Sequence, residues 1–411
     1  MGQRLKFVIL LAVGLGLSIL ANAQPEPMYI EGGTIYTLND EIIENGIIRL
    51  ENGKITYVGR RITIPKDAIV LEAVGKYITP GFILANTTLG LDTDNETDLV
   101  NRQPITPGFR MMDVVDISNP AFSEAILHGI TAANIMPQPD RPIPGVGTLV
   151  KTAGDRYLDR VVNEMSALSI NLIRASHPNV QARERSLASE VESIILIRNW
   201  LREANRIREA REDFQSGYSD FDIDGHTQML IRTINQEIPV FIYANTPTEI
   251  ERGLSLREDY DFSPVFVGME QIDMFWERFS DWQPQIITGP LTQYNPEGFL
   301  PAVSIEKADS LFQRNFRFHL QVDQYNDDGL AGVQNLVYQA ALLQRLGMST
   351  EQALKTITTI PAEMLHVEDR LGTIEVGKDA DLNIFSEPPL ESLSLPDIVM
   401  VNGHIVNESY R

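Results

Sequence analysis

A chain of 411 residues without a single cysteine forms no disulfides, no thiolate metal sites and no cysteine nucleophile, so its stability rests on packing alone. Its 34 Lys+Arg stand against 56 Asp+Glu, and the formal charge of −22 disfavours nucleic acid and anionic membrane surfaces as partners. The length suits one large core or a large domain with a small satellite, and no low-complexity stretch or internal repeat is visible.

Arg4 and Lys6 precede an apolar run from Phe7 to Leu20, and Ala21-Asn22-Ala23 fits the small-residue cleavage rule. Residues 1–23 therefore read as a secretory signal peptide, with Gln24 the new N-terminus. The apolar run is shorter than the ~20 residues a bilayer-spanning helix needs, and no cysteine follows it to carry a lipid. The expectation is an exported protein, periplasmic or secreted, with no membrane span after cleavage.

Residues 27–79 read as short strands and turns: Tyr29–Thr37, Ile47–Leu50 and Ile55–Gly59, punctuated by Asn45-Gly46 and Asn52-Gly53. Asn-Gly pairs signal hairpins because both residues accept positive φ cheaply. The texture returns at the C-terminus, in Asp381–Phe385 and Ile398–Val406. A β unit split between the two ends predicts one composite β-sandwich domain, residues 24–79 with 370–411, around an inserted middle.

That middle, 80–369, alternates apolar strand candidates with helical stretches. The strands are Thr131–Met136, Val240–Ala244, Val265–Gly268, Gln285–Gly289 and Phe318–Asp323; the helices are Asn119–Leu127, Ser186–Arg211 and Val333–Leu346. Repeated βα units over this length predict an α/β fold, a (β/α)8 TIM barrel with its site at the C-terminal strand ends. The Glu/Arg-rich stretch 183–215, with Ile194, Ile197, Leu201 and Ile207 at helical spacing, reads as a solvated amphipathic helix.

Pro80-Gly81-Phe82-Ile83-Leu84-Ala85-Asn86-Thr87-Thr88-Leu89-Gly90-Leu91 resembles the first barrel strand of the amidohydrolase superfamily, which reads close to "PGxIDxHxHLGL". Gly129-Ile130-Thr131 followed by Lys151-Thr152-Ala153-Gly154 is similar to the imidazolonepropionase-related branch. So is Arg370-Leu371-Gly372-Thr373-Ile374-Glu375-Val376-Gly377-Lys378-Asp379-Ala380-Asp381-Leu382. The last run marks fold and carries no catalytic duty. The likeness spans about residues 29–407.

The resemblance implies metal-assisted hydrolysis of non-peptide C–N bonds, with one or two divalent ions, Zn or another, activating water. The metal positions it implies are Asn86, Thr88, Tyr243 and Val267 or Gly268, together with Asp323. Only Asp323, the family's general base on the eighth strand, keeps a ligating side chain. Neutral amide and hydroxyl oxygens are poor partners for Zn2+. No lysine lies between Lys151 and Lys307 to supply a carbamylated bridge. The histidines are His128, His177, His226, His319, His366 and His404. His128 sits at a helix end, His319 lies low in the barrel, and a rebuilt His177/His226/Asp323 metal site is the alternative clustering.

The expectation is therefore a degenerate member with no metal cofactor: a non-catalytic subunit, or a binder of a small molecule. Its barrel mouth is lined by Asn86, Thr88, Tyr243, Asn245, Glu270 and Asp323, with Tyr243 filling the volume the metals would take. Its partners are expected to be a second copy or an active amidohydrolase homologue. The alternative is an active, metal-free site with Asp323 as general base and Tyr243 as acid or oxyanion donor.

Overall fold

Two stretches of chain more than 300 residues apart share one sheet. The computed structural model describes residues 26–91, 105–173, 190–213, 223–279, 281–291, 305–322, 332–391 and 395–408. In it β1 (Met28–Tyr36) pairs antiparallel with β2 (Ile42–Glu51), and β2 with β3 (Lys54–Gly59). The two halves of β1 also pair in parallel, one with β4 (Ile69–Glu72) and the other with β5 (Tyr77–Pro80). The C-terminal strands β16 (Leu382–Phe385), β17 (Ile398–Val401) and β18 (His404–Glu408) continue the sheet through β5, in the order β18-β17-β16-β5-β1-β2-β3.

Ile30, Ile48, Ile78, Leu382, Ile384 and Met400 pack between these strands as a separate apolar core. The β-branched residues suit a pleated, half-buried surface.

Asn52-Gly53 forms the expected turn, with φ of 51° and 75°. Asn45-Gly46 does not: β2 runs through it, and the pair makes an irregularity opposite Gly33. The stretch 398–406, read as one strand, is a hairpin closed by Asn402-Gly403 at φ 48° and 75°. Positive φ at an Asn-Gly pair is the shared physical demand, and pairing partners decide whether it becomes a bulge or a turn.

The middle of the chain builds two further ladders. One holds β6 (Phe82–Thr87) parallel to β7 (Ile130–Ile135), with β9 (Thr148–Lys151) and β10 (Val161–Asn163) continuing antiparallel. The other runs from β8 (Gly145–Val146) through β11 (Leu168–Asn171), β12 (Val240–Ala244), β13 (Val265–Gly268) and β14 (Gln285–Thr288) to β15 (Phe318–Leu320). Its five strands from β11 onward are mutually parallel. Backbone bonds between Gly147 and both Ser166 and Ala167 bridge the two ladders on one side. On the other side, the Ala85 N–H donates to His319 Nε2 at 3.1 Å.

Ile83, Ala132, Phe241, Val265 and Ile287 of both ladders pack into one apolar cluster, which Met364 and Leu365 join. A larger cluster on the opposite strand faces packs against the helices. Near-continuous apolar strands are what a parallel sheet covered on both faces requires.

The helix Pro120–Leu127 starts with Pro at its first turn and an Asn119 side-chain cap, and His128 ends it, its Nδ1 against the Glu124 carbonyl at 2.9 Å. The long Glu/Arg-rich helix spans Glu190–Asp213. The helix after β12, Pro247–Tyr260, begins with a capping box between Thr246 and Glu249.

Lys151 at the end of β9 is 1% exposed and stands between Asp379 and Asp381 of the terminal unit.

Candidate functional site

Strand alternation alone points Ile83 and Ala85 inward and Asn86 outward. The β6–β7 register slips between Leu84 and Thr87, and this irregularity turns the fully buried Asn86 to the interior. There Asn86 Oδ1 accepts a hydrogen bond from Tyr243 Oη at 2.8 Å, and its Nδ2 donates to Gln321 Oε1 at 3.2 Å. Gln321 Nε2 donates in turn to the Gly289 carbonyl at 2.9 Å. Strands β6 and β12 and the segment just after β15 are thus tied together by neutral side chains.

Tyr243 lies beside Asn171 on β11 and Val267 on β13 in the strand registers. It is 3% exposed, so its ring fills this level of the interior. Thr88 follows β6 and is half-buried. Asn245, two residues beyond Tyr243, is buried, and its Oδ1 has no hydrogen-bond partner.

Glu270 is half-buried just after β13, beyond Gly268 and Met269 at φ 98° and 56°. Burial pushes its carboxyl up to about 7; Lys307 opposes the rise and Glu249 adds to it. Lys307 is itself pushed down by burial, against the pull of Asp273 and Glu270.

The structure brings Asn86 and Tyr243 into direct contact and sets Asn245 just past the end of β12. Asp323 and His177 lie outside the described residues. His226 places Nδ1 under the Gly108 N–H at 3.0 Å and its ring edge-on to Trp200. His319 is fully buried, with Nε2 accepting from Ala85 and Nδ1 donating to the Thr356 carbonyl at 2.8 Å. Burial lowers its pKa to about 4, so it is neutral and both ring nitrogens are taken. It fastens the last strand to the first.

The residues standing at the family's metal positions do not fit a Zn2+ ion. An amide, a hydroxyl, a phenol and an aliphatic side chain supply neither imidazole nor carboxylate, and the phenol and the amide oxygen are already bonded to each other. Among the described residues, no three His, Asp or Glu side chains converge.

Sequence reasoning missed Gln321 and Lys307. Gln321 was legible in principle, because it lies within the strand expected over Phe318–Asp323, two positions before the candidate Asp323. Lys307 sits on the helix Ile305–Gln313, and no local pattern ties it to β13.

Residues 301–406 match the model of the Amidohydrolase family. The chain is 23% identical over 406 residues to "Amidohydrolase tasK" of Hapsidospora irregularis, an alignment taking in 90% of this chain and 40% of that protein. It thus spans about two-fifths of the length of tasK. A 69-residue stretch is 38% identical to "Dihydropyrimidinase-related protein 5" of Homo sapiens, covering 17% of this chain and 12% of that one.

Among solved structures, an amidohydrolase from Thermotoga maritima MSB8 superposes with a TM-score of 0.81 at 22% identity, covering 93% of this chain and all of the other. Molinate hydrolase superposes at 0.56 with 16% identity, over 94% of this chain and 95% of its own. No helix among the described residues is long and apolar enough to cross a membrane.

Proposed function

We propose, from the premise that this chain belongs to the amidohydrolase superfamily, that it has given up the metal-assisted hydrolysis of C–N bonds and uses its barrel mouth to hold a small organic ligand. In this reading the two central ladders close into one (β/α)8 barrel, and the terminal strands form a small sandwich beside it. The protein works outside the cytoplasm.

One observation carries the reading. The Tyr243 hydroxyl bonds the Asn86 amide at 2.8 Å, where the superfamily places metal ligands. A polar pair satisfied within the protein gains nothing from an ion it would have to break apart to bind.

The ligand site is the mouth formed by Asn86, Thr88, Tyr243, Asn245 and Glu270, with Asp323 as its expected sixth member.

Metal content tests the reading. Protein purified without tags or chelators is expected to carry less than about 0.1 divalent ion per chain by plasma mass spectrometry, because the donors at hand do not suit such ions. One or two ions per chain would overturn it, and hydrolysis with Asp323 as base would take its place.

A further inference from the structure

Two acceptors at the barrel mouth lack donors among the described residues. Asn245 is 7% exposed, and its Oδ1 is buried without a hydrogen-bond partner. That oxygen lies against Gly268: a Cβ built there would stand 2.0 Å from it, at a backbone φ of 98°. The glycine both permits the turn and leaves room for the amide.

Two residues on, the Glu270 carboxyl is half-buried, and what acts on it is burial and the charges of Lys307 and Glu249, with no hydrogen bond among the described residues. Glu249 is satisfied elsewhere: its Oε2 accepts from the N–H groups of Asn245 and Thr246 at 2.8 and 2.9 Å. Lys307 Nζ is 3.7 Å from Asp273 Oδ1. Glu270 and Asp273 thus share the one Lys307 ammonium, and Glu249 adds its negative charge at Glu270. Buried carbonyls and carboxylates are normally met by donors.

We infer that Asn245 Oδ1 and Glu270 together recognise a protonated amine of the ligand, which donates an N–H to each. The inference rests on the mouth being a small-ligand site and names the group that site reads. A hydroxyl has one hydrogen to donate and leaves one acceptor unmet; a primary or secondary ammonium serves both and supplies the missing charge. A cation beside Glu270 also favours its ionised form, so binding near neutral pH releases a proton.

The test is calorimetric titration of the full chain with benzylamine and with benzyl alcohol, a neutral probe of nearly the same shape, at about pH 8. Benzylamine is expected to bind at one site at least about tenfold more tightly than the alcohol. Glu270→Gln and Asn245→Ala should each reduce that preference, with folding checked by circular dichroism. Glu44→Gln, a change at an exposed carboxylate on β2 of the terminal sheet, should keep it.

Equal affinity for the two probes, or an unchanged preference in Glu270→Gln, overturns the inference and leaves the mouth standing as a ligand site. Failure of both probes to bind at millimolar concentration overturns the inference and the small-ligand reading together.

Discussion

Lys151 Nζ lies 2.5 Å from Asp381 Oδ2 and 3.0 Å from Asp379 Oδ2, with all three side chains out of water. Asp379 also holds Lys54 at 2.6 Å and Arg370 at 2.9 Å. The run that reads in sequence as a family turn is therefore the counter-charge for a lysine buried on a central strand. Removing one partner of a buried pair leaves an uncompensated charge. Lys151→Met is expected to cost about 3–5 kcal/mol in urea unfolding, well above a typical surface change.

The same cluster sets an acid limit. Burial alone would raise the Asp379 pKa; Lys151, Lys54 and Arg370 outweigh it and hold the carboxyl at about 2. A depressed folded value gives stability that is complete above the unfolded value of about 4 and is lost as pH falls toward 2. The amount is about 2 kcal/mol. Urea midpoints measured between pH 5 and pH 2 should show that loss in the parent, and Asp379→Asn should show a shallower one.

Tyr243→Phe removes the donor to Asn86 Oδ1 and keeps the ring. A buried acceptor left without its donor costs about 1–3 kcal/mol. Thermal unfolding should place the variant below the parent by that amount. An unchanged midpoint would mean that water replaces the phenol, and the mouth would then be wetter than its burial indicates.

Glu270 acts in the opposite sense to Asp379. Its folded pKa of about 7 lies above the ordinary carboxyl value, raised by burial and by Glu249 against the pull of Lys307. Stability is then fully present below about pH 4 and falls as pH rises through 7. Glu270→Gln should flatten this slope and leave the protein about 2 kcal/mol more stable than the parent at about pH 8, a figure already reduced for its partial exposure. A parallel pair of pH profiles would show that Glu270 is ionised in water instead.

The framework of the fold was legible because its signals are local. Val240–Ala244 and Val265–Gly268 are apolar runs whose ends agree with the strands observed. Asn119 before Pro120 announces a helix start, and His128 before Gly129 its end. The short strands β8 to β11 were not legible: Gly145–Val146 and Val161–Asn163 owe their conformation to partners far along the chain.

The site divided in the same way. Asn86 and Tyr243 could be placed by motif, but their hydrogen bond depends on a register slip that no composition records. Glu270 could be placed, whereas the lysine beside it comes from a helix 37 positions later.

The pairing of Thr79 with Asn383 also bears on how the protein comes to be folded. An emerging chain has made β1 to β5 long before β16 exists, so the last ladder closes a loop of some three hundred residues, at a cost in chain entropy and in speed. Until that moment Lys151 has no Asp379 or Asp381 to face and stays in water. The terminal sheet is completed only by the final strands, which makes full-length synthesis a condition of the native state: a product cut short before residue 379 would keep its apolar strands and lack the charges that Lys151 faces.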